Sequence, residues 1–122
     1  MGTALVIEDS ATERSIISDF CKKLEIQVVL AESGEEGLKA LETLKPDVII
    51  LDVVLPGLSG FEICRKIKEM DHTKTIPIVL CSTKGTEMDK FWGKRQGADG
   101  YITKPIDQKI FTETITGFMN KS

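Results

Sequence analysis

Two adjacent acids, Glu8 and Asp9, follow one short apolar run, and a third acid, Asp52, closes another. Ser82 and Thr83 follow a further apolar run, and Lys104 stands after the last one. Three carboxylates brought to one place repel each other, and a hard divalent cation relieves that repulsion. Magnesium suits such a donor set, since it takes a few carboxylates, a backbone carbonyl, waters and phosphate oxygens. Mn2+ is a possible substitute. A carboxylate can attack phosphorus to give an acyl phosphate. A nearby ammonium would neutralise charge developing on the transferring group, and a hydroxyl could donate to one of its oxygens. Each residue also has a simpler reading. Glu8-Asp9 could begin a helix, where acids are favoured, and Asp52 could be a turn or capping residue.

The elements around these residues decide between the readings. Val48-Ile49-Ile50-Leu51 is a continuous apolar run ending in Asp52, and Pro56-Gly57 lies just beyond. Such a run reads as a strand buried on both faces, over 47–52. Thr3 to Ile7 reads as a first strand, Ile26 to Ala31 as a second, Pro77 to Cys81 as a fourth and Gly100 to Thr103 as a short fifth. Between them lie helices opened by capping boxes at Ser10/Glu13, Ser33/Glu36 and Ser59/Glu62, with Thr86 and Asp107 capping the last two. Ile16, Ile17, Phe20, Cys21 and Leu24 share a face of the first helix, and Leu38, Leu41 and Leu44 form the stripe of the second, which Pro46 ends. Ile63, Cys64, Ile67 and Met70 line the third; Met88, Phe91 and Trp92 lie on the fourth, which Gly97 stops; Ile110, Phe111, Ile115 and Phe118 line the fifth. Strand and helix alternate five times. That predicts an α/β fold, a doubly wound parallel sheet with helices on both faces. Ligands of such sheets bind at the carboxyl ends of the strands, where Glu8, Asp9, Asp52, Ser82 and Lys104 would meet.

Composition narrows the class. The chain has 122 residues, 41% apolar and 29% charged, with a net charge of −3. It reads as one domain over 1–122, with no nucleic-acid or membrane-surface binding expected. No apolar run is long enough to span a membrane, and the amino terminus does not read as a signal peptide. Met1-Gly2 opens like a myristoylation signal, but Val6 stands where Ser or Thr is needed. Cys21, Cys64 and Cys81 read as reduced and buried, and the protein as cytoplasmic. The single histidine, His72, lies in a polar loop and reads as inert, and Lys23, Lys66, Lys68, Lys109 and Lys121 read as solvated.

Glu8-Asp9, Asp52 with Pro56-Gly57 and Gly60, Ser82, Gly97-Ala98-Asp99-Gly100-Tyr101 and Lys104-Pro105, in this order and spacing, resemble the response regulator receiver domains of two-component signalling, of the single-domain CheY-like type. The resemblance covers the whole chain. It implies a flavodoxin/CheY-like sheet in the order 2-1-3-4-5. Asp52 would be the phosphoryl acceptor. Asp9 and Asp52 would bind magnesium directly, Glu8 through water, and the backbone carbonyl of Val54 would be a further ligand. Lys104 would contact the phosphoryl group, with a cis bond to Pro105. Ser82 would be the switch hydroxyl and Tyr101 the aromatic that swings inward with it. The implied mechanism is a population shift of the fourth helix, fifth strand and fifth helix. Lys90, Phe91, Trp92, Lys94 and Tyr101 would form a partner face; the alternative for Phe91 and Trp92 is that both pack partly into the core.

The resemblance further implies a protein that is not an enzyme in its own right and catalyses only its own phosphorylation and dephosphorylation. Its phosphodonor would be a histidine kinase or phosphotransfer protein, and its output a downstream protein. It would be a monomer, with a dimer possible on phosphorylation. Phe91 to Gly97 resembles regulators of pilus-based motility and phototaxis. Glu8 stands where Asp is commoner, Val54 is apolar where relatives place a polar side chain, and Lys84 is basic where many have an acid or amide. The last two flank the path of an attacking water, so the acyl-phosphate lifetime is expected to differ from that of fast chemotaxis regulators. The alternatives are a degenerate receiver acting as a constitutive interaction module, a small magnesium phosphatase, and a flavodoxin-like cofactor binder. The phosphatase lacks its second acid, because Val54 occupies that position, and the cofactor binder lacks its phosphate loop after the first strand.

Overall fold

A computed structural model describes residues 2–119; Met1 and Lys121 lie outside the described residues. Five strands, β1 (Thr3–Ile7), β2 (Gln27–Ala31), β3 (Val48–Asp52), β4 (Ile78–Ser82) and β5 (Gly100–Thr103), form one parallel sheet in the order β2-β1-β3-β4-β5. Helices α1 (Ala11–Lys23), α2 (Gly34–Ala40), α3 (Gly60–Glu69), α4 (Glu87–Arg95) and α5 (Gln108–Met119) alternate with them. The predicted architecture and strand order are therefore present.

Side-chain alternation along the strands builds a core on each face. Leu5, Ile7, Ile49, Leu51, Ile78 and Leu80 meet Ile63, Cys64 and Ile67 of α3 on one side. Ala4, Val6, Val48, Ile50, Val79 and Cys81 meet Ile17 and Cys21 of α1 and Phe111 and Ile115 of α5 on the other. With both faces covered, β3 and β4 are buried at every residue, which is why they read as unbroken apolar runs.

Several sequence expectations are corrected. β2 begins at Gln27, because Ile26 is still donating its N–H to Cys21 while the chain reverses through Glu25 at φ 59°. β4 runs one residue later than read, so Ser82 is its last residue rather than the first of the loop. α2 is short and ends at Ala40; Leu41 and Leu44 still pack on the core, but from the turns beyond it, so Pro46 does not end the helix. Of the three capping boxes, only Ser59/Glu62 is reciprocal. Ser10 and Ser33 accept the N3 amide without a return bond from the acid, whereas Thr86 forms a full box with Asp89. Ile16 and Ile110 face solvent, each at the edge of its helix's buried stripe. Lys68 is not a solvated lysine: its ammonium pairs with Asp99 Oδ2 at 2.9 Å and donates to the Ile76 carbonyl at 2.8 Å. The same Asp99 oxygen accepts the Ile78 N–H, so α3, the start of β4 and the loop before β5 are tied at one point.

Candidate functional site: an acidic edge closed by one lysine

Strand register brings the chemistry together. Ile7 lies beside Leu51, so Glu8 falls level with Asp52 at the sheet's carboxyl edge. Asp52 lies beside Cys81, and Ser82 beside Thr103, so Ser82 and Lys104 follow on the next strands. The Lys104 N–H donates to the Ser82 carbonyl at 2.9 Å, extending the ladder one residue past β5. The Lys104-Pro105 bond is cis, as the resemblance implied. Gly60 permits the close start of α3: a Cβ there would stand 2.0 Å from the Asp52 carbonyl oxygen.

Glu8 is 1% exposed and Asp52 6%, while Asp9 is exposed at the mouth. Carboxylates seldom go under without a counter-charge. Lys104 supplies it, with its ammonium 2.6 Å from Glu8 Oε1 and 3.3 Å from Asp52 Oδ2. Burial alone would pull the Lys104 ammonium down, but its hydrogen bond to Glu8 and the charge of Asp52 outweigh it and leave the pKa raised. Asp52 Oδ1 accepts the Val54 N–H at 3.2 Å, and Glu8 Oε2 accepts the Ser10 N–H at 3.1 Å. One oxygen from each of Glu8, Asp9 and Asp52 can be chosen so that all lie within 4.8 Å of one another. Three carboxylates against one lysine leave the edge short of positive charge, and all the side-chain donors are hard oxygens. This set fits a divalent cation such as magnesium.

Ser82 is fully buried and its Oγ accepts the Lys84 N–H at 3.1 Å. The Tyr101 hydroxyl donates to the Lys84 carbonyl. Burial, and then the charge of Asp89, push the Tyr101 hydroxyl's pKa up. The serine and tyrosine are thus joined through the backbone of Lys84 as well as by a hydrogen bond between their side chains. Val54 and Lys84 both reach solvent beside the site.

The match to the response regulator receiver domain spans residues 4–116. The chain belongs to the response regulator receiver family. This receiver is 40% identical to Protein PilH of Pseudomonas aeruginosa over 119 residues, 98% of each chain. It is 36% identical to the transcriptional regulatory protein AfsQ1 of Streptomyces coelicolor, but spans only 52% of that protein. Among solved structures, a putative response regulator from Chloroflexus aurantiacus superposes with a TM-score of 0.94 at 28% identity, covering 98% of both chains. The chemotaxis response regulator CheY4 of Vibrio cholerae gives 0.90 at 29% identity, covering 97% of this chain and 98% of that one.

All the receiver's expected site residues except those of the partner face thus lie at or behind one edge. The partner-face residues lie to one side, on α4 and β5. Phe91 is 56% exposed and Trp92 50%, so both face solvent, between the exposed Lys90 and Lys94. The expectations did not include Arg14. It lies within hydrogen-bond reach of the acidic loop from behind, and one sequence signal pointed to it: a cation in the first turns of a helix opposes the helix dipole.

Proposed function

We propose that this receiver accepts a phosphoryl group on Asp52 from a histidine kinase or phosphotransfer protein, and passes the signal to a protein bound on its α4–β5–α5 face. The carrying observation is the convergence of Glu8, Asp9 and Asp52 on one edge, with Lys104 bridging two of them. A carboxylate oxygen of Asp52 attacks the phosphorus of a phosphohistidine. The phosphorus–nitrogen bond breaks, its electron pair stays on the imidazole, and an acyl phosphate remains on Asp52. Lys104 is placed to shift from the Asp52 carboxylate to a phosphoryl oxygen. Asp9, Asp52 and the Val54 carbonyl would hold magnesium, with Glu8 acting through water. Bound there, magnesium would offset the charge of the acids and the incoming phosphate. The buried Ser82 hydroxyl would turn toward the phosphoryl group and give up the Lys84 N–H, and Tyr101 would follow because it holds the Lys84 carbonyl. Phosphorylation would then favour a different placement of α4.

The receiver acts on no other substrate in this reading. Membership of the receiver family and the regulators among the relatives support a signalling role, and the chemotaxis response regulator CheY4 among the solved structures supports a chemotaxis pathway. Intact mass after incubation with acetyl phosphate tests the proposal. One phosphoryl adduct is expected, requiring both magnesium and Asp52 and lost in Asp52→Asn. No adduct on folded, magnesium-replete protein would leave only a constitutive interaction module. The lifetime of the adduct tests the roles of Val54 and Lys84: Val54→Asn with Lys84→Glu is expected to change the hydrolysis rate, and an unchanged rate would remove both residues from the water path.

A further inference from the structure

Behind the acidic edge, Arg14 Nη1 lies 2.9 Å from the Glu8 carbonyl and 2.9 Å from the Asp9 carbonyl. Successive carbonyls along a strand point to opposite sides. Here both aim at one guanidinium nitrogen, so the backbone has turned at the end of β1, and Arg14 occupies the inside of the turn. The same turn brings carboxylate oxygens of both residues within 4.8 Å of one another and of Asp52. Arg14 sits low on α1, close to the cap made by Ser10, where a cation opposes the helix dipole. Its side chain is largely buried, and the Glu32 carboxylate that faces its other amino nitrogen is 3.7 Å away and 68% exposed. An ion pair that open to water contributes little. The carbonyl contacts therefore best account for an arginine at this position.

Resting on the receiver reading above, we infer that Arg14 is a positioning residue for the cation site. It clamps the Glu8 and Asp9 carbonyls so that the two carboxylates stay convergent against their mutual repulsion. Arg14 touches neither the phosphoryl group nor the cation. It sets the geometry and lowers the cost of bringing the acids together before the cation arrives. Partners that orient metal ligands from behind commonly alter metal affinity by about tenfold or more when removed.

The test is the affinity for magnesium chloride, measured by calorimetry on wild type, Arg14→Met, Arg14→Lys and Glu32→Gln, with thermal unfolding of the metal-free proteins alongside. Arg14→Met keeps the stem and removes every donor, and is expected to weaken magnesium binding about tenfold. Arg14→Lys keeps the charge on a shorter side chain, which reaches the two carbonyls less well, and should fall between it and wild type. Glu32→Gln should bind as wild type does. In acetyl phosphate labelling, the magnesium concentration for half-maximal rate should rise in Arg14→Met while the rate at saturating magnesium stays near wild type. A residue that only stabilised the fold would lower the unfolding temperature and leave the affinity alone. Wild-type affinity in Arg14→Met, or in Arg14→Lys should the methionine variant not fold, would overturn the inference while the receiver reading stands. Absence of magnesium binding by wild type itself would overturn both.

Discussion

Helices α3 and α4 are nearly matched in length, and each opens with a reciprocal capping box, Ser59/Glu62 in one and Thr86/Asp89 in the other. Their anchoring differs sharply. α3 buries Gly60, Ile63, Cys64 and Ile67, whereas α4 buries only Gly93. Its large apolar residues point outward, with Met88 73% exposed beside Phe91 and Trp92. Fully burying an aliphatic side chain stabilises by about 1.5–3 kcal/mol, so α3 is bound to the sheet by a term that α4 lacks. α4 is held by its cap, by Gly93 against Leu80 and Tyr101, and at its far end by the Cys64 thiol, which donates to the Gln96 carbonyl. A helix held this way can move at little cost and present an apolar face to a partner. One helix packs its start against the residues after Asp52, and in the proposed function the other would report on them.

The contrast can be broken first in the core. Ile67→Ala should cost about 2–5 kcal/mol in denaturant unfolding, while Phe91→Ala should stay within about 0.5 kcal/mol; comparable losses would refute the unequal anchoring. Gly93→Val is the next largest. A Cβ at this position would lie 2.9 Å from Leu80 Cδ1 and 3.2 Å from the Tyr101 ring. The expected loss is about 1–3 kcal/mol, with faster amide exchange confined to α4 and β5. Removing the caps sharpens the comparison further, since each should be worth about 1 kcal/mol. Ser59→Ala should lower the unfolding midpoint and leave α3 amides slow. Thr86→Ala should instead open the first turn of α4 in hydrogen exchange.

The smallest effect is on pH dependence. Burial pushes the Cys64 thiol of α3 from 9.0 up to about 12. The folded protein holds that proton more tightly than the unfolded chain. The thiol's stabilising contribution is therefore complete below pH 9.0 and fades as the pH rises toward about 12. From about pH 8 to about pH 10, the unfolding midpoint should fall more steeply in wild type than in Cys64→Ala, and equal slopes would contradict this.

The sheet was legible because its central strands are covered on both faces, which leaves Val48–Leu51 and Ile78–Cys81 without a polar interruption. The acidic edge was legible because parallel register converts strand-end positions into neighbours. Lys68 was not, since its partner Asp99 lies 31 residues away and nothing local marks it among the surrounding lysines. Leu44 fits a helical stripe but packs from a turn beyond α2, because three leucines at helical spacing do not reveal where the helix stops. Phe91 and Trp92 left two readings open. The structure decides for solvent because the residue facing the sheet, Gly93, has no side chain to give the periodicity a buried member.

The most direct test of the account is hydrogen exchange read by mass spectrometry, comparing wild type and Asp52→Asn in acetyl phosphate and magnesium. The account predicts that exchange changes in the Ser82–Gly85 loop, α4 and β5 of wild type alone, while α3 stays as slow as in the unphosphorylated protein. Unchanged exchange in α4 of a protein shown by mass to carry the phosphoryl group, or an equal change in α3, would contradict it.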